Sequence, residues 1–309
     1  MLKKHFTLMI IFFVTMVYAN EPGKIALIQY NADVNFGRVN VNLTNLSQMA
    51  TEAVEAGANI VVMPEGSAYG YASDTHVWCS PEKMNDSDGQ AFVISESRNY
   101  IKQCADVLTV AESIEDGKVT QFWTSFAREH QVYIIFSIIE KNQSENKFYN
   151  TMVITGPNGY ELHYRKRVLY KVDQAYAESG EQAKVWQSPY GNFGLMICMD
   201  ATYDEGTLQD PNINHGEYCY RDYAYRGDVD ALILQMNWDD DPHGDYAART
   251  WFQKRAECNA IDIYASDVSA WDGTGKYPKD GSERLRNGLA AIAIDEDGIS
   301  YHSLNYPKQ

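Results

Sequence analysis

At 309 residues, 45% of them hydrophobic and 22% charged, the chain is long enough to bury one large core. Its 42 acidic residues outnumber 26 Lys and Arg, a formal charge of −16 that argues against nucleic acid or an anionic membrane surface as partner. The five cysteines show no CxxC or clustered Cys/His spacing, so neither a zinc site nor any other metal or cofactor is expected.

The first residues read as a secretory signal peptide: Lys3 and Lys4 form the n-region, Phe6 to Val17 the apolar h-region, and Val17-Tyr18-Ala19 the cleavage motif. The apolar run falls short of the ~20 residues that a spanning helix needs. Asn20 stands just after the cut, where a lipid anchor would need cysteine. Residues 1–19 are therefore expected to be removed and 20–309 to form one large domain, secreted or periplasmic, with no membrane span after processing. Loss of Lys3 and Lys4 lowers the Lys and Arg count from 26 to 24 against 42 acids, a charge of −18. In an oxidising compartment an odd cysteine count implies pairs plus one free thiol. Cys198 is the candidate free thiol, and Cys79, Cys104, Cys219 and Cys258 allow three pairings.

Lys24 to Tyr30 reads as the first strand, and Val41 to Ala56 as a helix with Leu43, Leu46, Met49, Ala50, Ala53 and Val54 at helical spacing before the C-cap Gly57. Asn59 to Met63 is a second buried strand, so the three form a right-handed βαβ unit that places Glu65 at a strand's carboxyl end. From Gly66 to Gly117 the pattern weakens into a long connection holding one helix around Ser97 to Val107 and a disulfide staple. Val119 to His130 reads as a helix and Val132 to Ile139 as a buried strand. Phe148–Thr155 and Tyr160–Tyr164 flank Gly156-Pro157-Asn158-Gly159 as a hairpin. Arg165-Lys166-Arg167 then ends what reads as an edge strand protected by charge.

Phe193 to Ile197 is a short apolar run that delivers Cys198 to a strand end, where α/β proteins place their chemistry. Asp228 to Met236 is a further buried strand, ending at Asn237-Trp238, which should wall the same crevice. Asp239-Asp240-Asp241 with His243 and Asp245 lacks the glycine turn and terminal Glu of a calcium loop and reads as solvated. A helix over Ala247–Ala260, a strand over Ile261–Ser266 and a closing hairpin of Leu289–Asp295 with Ile299–Leu304 complete the chain. The alternation predicts an α/β sandwich.

Glu65, Lys166 and Cys198 thus come to the ends of separate strands, and together they are a working set for acyl transfer. A thiolate attacks an amide or nitrile carbon. A lysine ammonium favours the thiolate and steadies the oxyanion. A carboxylate takes the thiol proton and hands it to the leaving amine.

Four motifs in order carry a resemblance to the nitrilase, or carbon–nitrogen hydrolase, superfamily. They are Met63-Pro64-Glu65 with Tyr69-Gly70-Tyr71, Tyr164-Arg165-Lys166 after Tyr149-Asn150-Thr151, Gly194-Leu195-Met196-Ile197-Cys198-Met199-Asp200, and Arg255-Ala256-Glu257-Cys258-Asn259. The resemblance implies a four-layer α-β-β-α sandwich and a catalytic triad of Glu65, Lys166 and Cys198. It implies a supporting glutamate, best matched by Glu178 with Glu181 as competitor, and an oxyanion hole from Lys166 and the Met199 N–H. Tyr71 and Met199 are expected around the substrate, with Asn237 and Trp238 at their strand end, and the resemblance suggests a homodimer. Ser137 stands where glycine is common, and Met199 where an aromatic is common. The implied activity is hydrolysis of a linear, small-molecule amide through a Cys198 thioester. Pantetheinase- or biotinidase-like and N-carbamoyl hydrolysis are alternatives within the family, and a catalytically silent secreted binding protein is the alternative outside it.

Overall fold

The computed structural model describes residues 22–85, 103–201, 223, 228–238, 248–268, 273–287, 289–290 and 297–306. The expected signal peptide and the acidic run at 239–245 lie outside the described residues. Among them the strands are β1 Gly23–Gln29, β2 Ile60–Val62, β3 His76–Cys79, β4 Gln103–Asp106 and β5 Tyr133–Asn142. There follow β6 Lys147–Gly156, β7 Gly159–Arg165, β8 Val185–Ser188, β9 Gly191–Ile197 and β10 Ala231–Gln235. The last are β11 Asp262–Ser266, β12 Gly275–Tyr277, β13 Leu285–Arg286, β14 Leu289–Ala290 and β15 Gly298–Leu304.

Two sheets form the body, one in the order β15-β1-β2-β5-β6-β7 and the other β14-β13-β12-β11-β10-β9-β8. The centre of each is parallel, β1-β2-β5 in the first and β9-β10-β11 in the second. Buried central strands need apolar residues on both faces, which is why these read as continuous runs. The period-2 alternation then assigns the layers. Ile25 and Leu27 of β1 join Val62, Ile135 and Met152 in a core shared with Leu195, Leu232 and Ile263 of the other sheet. Ala26 and Ile28 point the other way, with Val61, Ile134 and Phe136, onto the helices Val39–Glu55 and Lys118–His130 through Leu43, Leu46 and Trp123. On the far side the helix Ala248–Asn259 rests Phe252 on Tyr277 and Trp238, at ring-centroid distances of 5.5 and 5.2 Å. The order helix, sheet, sheet, helix is the expected four-layer α-β-β-α sandwich.

The two sheets are also stitched by polar groups where their parallel strands end. Gln235 Nε2 donates to the Met63 carbonyl at 2.7 Å, and Ser266 Oγ to the Val62 carbonyl at 3.1 Å. The Glu65 N–H donates to the Met236 carbonyl at 3.2 Å. Each bond satisfies a buried group that would otherwise cost about 1–3 kcal/mol, and together they fix one sheet's carboxyl ends against the other's.

Two expectations need correction, and one strand was not foreseen. Residues 103–106 are not helical but strand β4, parallel to β3 with Val77 opposite Cys104, and residues 97–102 lie outside the described set. The Cys79–Cys104 disulfide, at a Cα separation of 5.4 Å, ties this ribbon and overrides the weak helical periodicity. Among the described residues the last strands do not pair as a hairpin: β14 belongs to the seven-stranded sheet, whereas β15 runs antiparallel to β1 in the other, and residues 291–296 lie outside the described set. β15 caps the β1 edge and puts Ile299 and Tyr301 against the helical core. Finally, β8, hidden in a polar stretch, pairs with β9.

The disulfide closes a sequence separation of 25 residues. Replacing Cys79 and Cys104 together by Ala is expected to lower unfolding free energy by about 3 kcal/mol. Urea unfolding followed by Trp fluorescence checks this, and an unchanged midpoint would contradict it.

Candidate active site

Each motif residue stands just past a strand of the parallel centre or its flank. Glu65 follows β2 in a tight turn: Gly66 takes a φ of +70°, and a Cβ there would lie 2.8 Å from the Tyr71 nitrogen. That turn closes with the Gly70 N–H donating to the Gly66 carbonyl at 2.8 Å and carries Tyr71 back over the strand end. Lys166 follows β7 and is gripped from both sides, its N–H donating to the Asn150 carbonyl and its carbonyl accepting from the Gly180 N–H, each at 2.8 Å. Cys198 ends β9 at a φ of +43°, a left-handed conformation that a non-glycine residue holds only at a cost of about 1–2 kcal/mol.

The Lys166 ammonium is fully buried between two carboxylates, 2.7 Å from Glu65 Oε1 and 2.6 Å from Asp173 Oδ2. Asn150 Nδ2 donates to both acids, at 2.8 Å to Glu65 Oε1 and 3.0 Å to Asp173 Oδ1. Asp173 Oδ2 also accepts from the Tyr71 hydroxyl at 3.0 Å and the Tyr170 N–H at 2.9 Å. The Tyr71 ring itself lies 5.3 Å from Lys166 Nζ.

Charge balance decides the protonation states. Burial alone pulls the Lys166 pKa down, but Asp173 and then Glu65 outweigh it and hold the ammonium well above its ordinary value. Glu65 has one cation and a like-charged neighbour, so its burial prevails over Lys166 and its pKa is pushed up to about 7. The Cys198 thiol is raised well above its ordinary range by burial and then by Glu65, with Lys166 opposing. Those couplings put the thiol within electrostatic reach of the Glu65–Lys166–Asp173 cluster. Its Sγ–H faces the Asn237 carbonyl at 3.8 Å.

These geometries accompany a family match. Residues 24–228 match the family described as carbon-nitrogen hydrolase. The chain belongs to the carbon-nitrogen hydrolase family. It is similar to a nitrilase of Pyrococcus abyssi, 26% identical over 183 residues that make up 59% of this chain and 58% of the relative. It is also similar to omega-amidase NIT2-B of Xenopus laevis, 27% identical over 176 residues, 53% of this chain and 51% of the relative. The chain thus spans little more than half the length of these two curated relatives. Among solved structures, Saccharomyces cerevisiae Nit3, a member of branch 10 of the nitrilase superfamily, is similar in fold with a TM-score of 0.64 at 19% identity. That likeness covers 92% of this chain and 90% of Nit3.

In this member of the family the sequence-predicted residues divide. Glu65, Lys166 and Tyr71 meet in one cluster, with Cys198 within its electrostatic reach. Glu178 does not join it: its side chain is exposed, as is that of Glu181, while its N–H donates to the Phe148 carbonyl at 2.8 Å. The second acid against Lys166 is Asp173, placed by the short 3₁₀ turn Asp173–Ala175. An acid seven residues after the lysine, just before the apolar Ala175-Tyr176-Ala177, was the available signal. Met199 is half-buried beside the thiol turn, packed on the inter-sheet core. Asn237 turns its amide to Asp33 Oδ2 at 3.0 Å and its carbonyl to the thiol. Trp238 is a packing residue, 7% exposed, with its N–H on Asp267 Oδ1 at 3.0 Å. Arg165 forms an ion pair with Glu140, its Nε at 2.8 Å, and lies 3.8 Å from the Tyr149 ring, in keeping with a structural charge. Ser137 Oγ donates to the Pro64 carbonyl at 3.4 Å, steadying the Glu65 turn.

Among the cysteines, Cys198 is free and buried, whereas Cys258, like Cys79 and Cys104, is disulfide-bonded. Cys219 lies outside the described residues, so the predicted set of pairings is settled here only for Cys79–Cys104.

Removing the shared cation strands two buried acids. Lys166→Met is therefore expected to destabilise the fold by about 3–5 kcal/mol at neutral pH. Glu65 sits near 7 in the fold against an ordinary 4.5. A raised carboxyl favours folding below its unfolded value and loses that contribution as pH rises through 7. The deficit of Lys166→Met, read from urea midpoints, should accordingly shrink between pH 7 and pH 5.

Proposed function

We propose that this hydrolase is an exported thiol amidase that opens the carbon–nitrogen bond of a linear, small-molecule amide. The observation that carries the reading is the buried Glu65–Lys166–Asp173 cluster set beside a free cysteine in a left-handed turn. The amidase and nitrilase relatives support the reaction class, and the signal-like N-terminus with its paired cysteines supports export.

In this mechanism Glu65 takes the Cys198 proton as the sulfur bonds to the amide carbon. A thiol held above its ordinary pKa is not a standing thiolate, so proton transfer to Glu65 accompanies attack. Glu65 suits that task because Oε1 receives both hydrogen bonds from Lys166 and Asn150, and Oε2 has no hydrogen-bond partner among the described residues. The negative oxygen of the tetrahedral intermediate is held by the Lys166 ammonium and the Met199 N–H. Collapse breaks the carbon–nitrogen bond, and Glu65 gives its proton to the departing amine. Water then loses a proton to Glu65 and attacks the thioester. The carboxylic acid leaves, and the sulfur recovers the proton. Asp173 acts through Lys166: as the second anion it keeps the lysine charged and fixes its reach.

Ammonia or amine release from a panel of aliphatic amides, glutamine and asparagine derivatives, N-carbamoyl amino acids and pantetheine tests the reading. Turnover should appear with at least one class and vanish in Cys198→Ala, whose circular dichroism should match the parent. Turnover retained in Cys198→Ala sinks the assignment. Wild-type protein that turns over no member of the panel, with a thiol no faster to alkylate than a model thiol, favours the silent binding protein instead.

With Glu65 at about 7, kcat/KM should fall about tenfold per pH unit below that value, because the protonated acid cannot act as base. Glu65→Gln should be inactive at every pH. A flat profile between pH 5 and 7 would remove Glu65 from the base role.

A further inference from the structure

Asp200 is two residues past the reactive cysteine, and its buried side chain turns back across the boundary between the sheets. Oδ1 accepts from the Arg167 N–H at 3.0 Å and the Val168 N–H at 2.7 Å, the two peptide groups that follow Lys166. Oδ2 accepts from the Tyr164 hydroxyl at 2.7 Å, two residues before Lys166, and from the Ile197 N–H at 3.0 Å, the residue before Cys198. All four acceptor sites of the carboxylate are thus in use. Three hold the segment around the lysine at the end of β7 in one sheet, two through main-chain N–H groups and one through the Tyr164 hydroxyl, and the fourth holds the strand end that carries the thiol in the other.

We propose that Asp200 is a positioning residue that sets the separation of Lys166 and Cys198, by binding the main chain of both to one carboxylate. Burial raises the Asp200 pKa, and the backbone and tyrosine donors oppose it. A raised folded pKa means the anion costs stability at neutral pH, where an uncharged residue would suffer no such penalty. The charge is therefore poorly explained as a stabiliser. Its value lies in accepting four bonds at once, which no neutral side chain of the same size can do.

Asp200→Asn tests the idea with little change of volume. Its amide offers a single accepting oxygen, so its NH₂ must face either the Arg167 and Val168 N–H groups or the Ile197 N–H, and one tie between the sheets is lost. The first readout needs no substrate: the rate at which iodoacetamide alkylates Cys198, followed against pH. Freed from Lys166, the thiol should alkylate about tenfold more slowly at pH 7, with its profile displaced upward by about one unit. The second readout rests on the amidase reading. It predicts a kcat loss on the order of 100-fold, the cost of a misplacement of about 1 Å, with KM within about threefold of wild type.

An alkylation profile identical to wild type overturns the proposal, whatever happens to kcat or the melting temperature, because a purely structural role would leave the profile in place. Should Asp200→Asn fail to fold, Tyr164→Phe decides, since it loosens one of the four arms. Slower alkylation there supports the proposal, and a wild-type profile overturns it. If wild-type protein turns over no amide, the kinetic arm falls with the amidase reading, while the alkylation arm still judges Asp200.

Discussion

The structure depends most on one buried cation shared by two buried acids. Moving a single ammonium out of water costs several kcal/mol, and only close partners with satisfied lone pairs compensate it. Lys166 has them in Glu65 and Asp173. Asn150, Tyr71 and the Tyr170 N–H complete the lone pairs on the acid side. One positive charge between two negative ones cannot satisfy both carboxyls equally. Among the described residues Asp173 accepts from four donors besides the lysine, whereas Glu65 keeps one oxygen open. The asymmetry separates the roles: the better-bonded acid anchors the lysine, and the less satisfied one can exchange a proton near neutrality.

This arrangement needs both sheets, because no single strand order brings β2, β7 and β9 together. Glu65 and Lys166 come from one sheet and Cys198 from the other, so the three side chains approach one another only when the sandwich closes. The stitches at Gln235, Ser266 and the Glu65 N–H hold one flank of that closure. The disulfide-tied β3–β4 ribbon supports the acid side. Its Val77 and Cys79 pack on Ala175, and the Ser80 N–H donates to the Ala175 carbonyl at 3.0 Å, within the very turn that presents Asp173.

Much of this was legible in the sequence. β5, β9 and β10 are buried on both faces, so their composition alone marks them, and Glu65, Lys166 and Cys198 follow such strands or the hairpin beside them. What could not be read was set by contacts distant in sequence. Glu178 and Asp173 both stand near the lysine, and choosing between them requires knowing that the chain turns at Val172 and leaves Glu178 in solvent. β4 has no pattern of its own and is a strand because Cys104 is bonded to Cys79. β14 and β15 look like a hairpin because a turn separates them, yet each pairs with a different sheet. The charge on Lys166 looked like edge-strand protection, and it does end an edge strand, but the ammonium points inward.

The backbone at Cys198 has a meaning of its own. A φ of +43° is where glycine is comfortable and a branched or bulky residue is not. Judged by stability alone, glycine would be the better occupant of that turn, by about 1–2 kcal/mol. The fold instead maintains there the one described cysteine that is in no disulfide. A position that forgoes stability for a side chain announces a function independently of any motif. The same backbone gives an engineer a direct trade at this site: a sturdier, inert sandwich with glycine, or a slightly weaker one that can react.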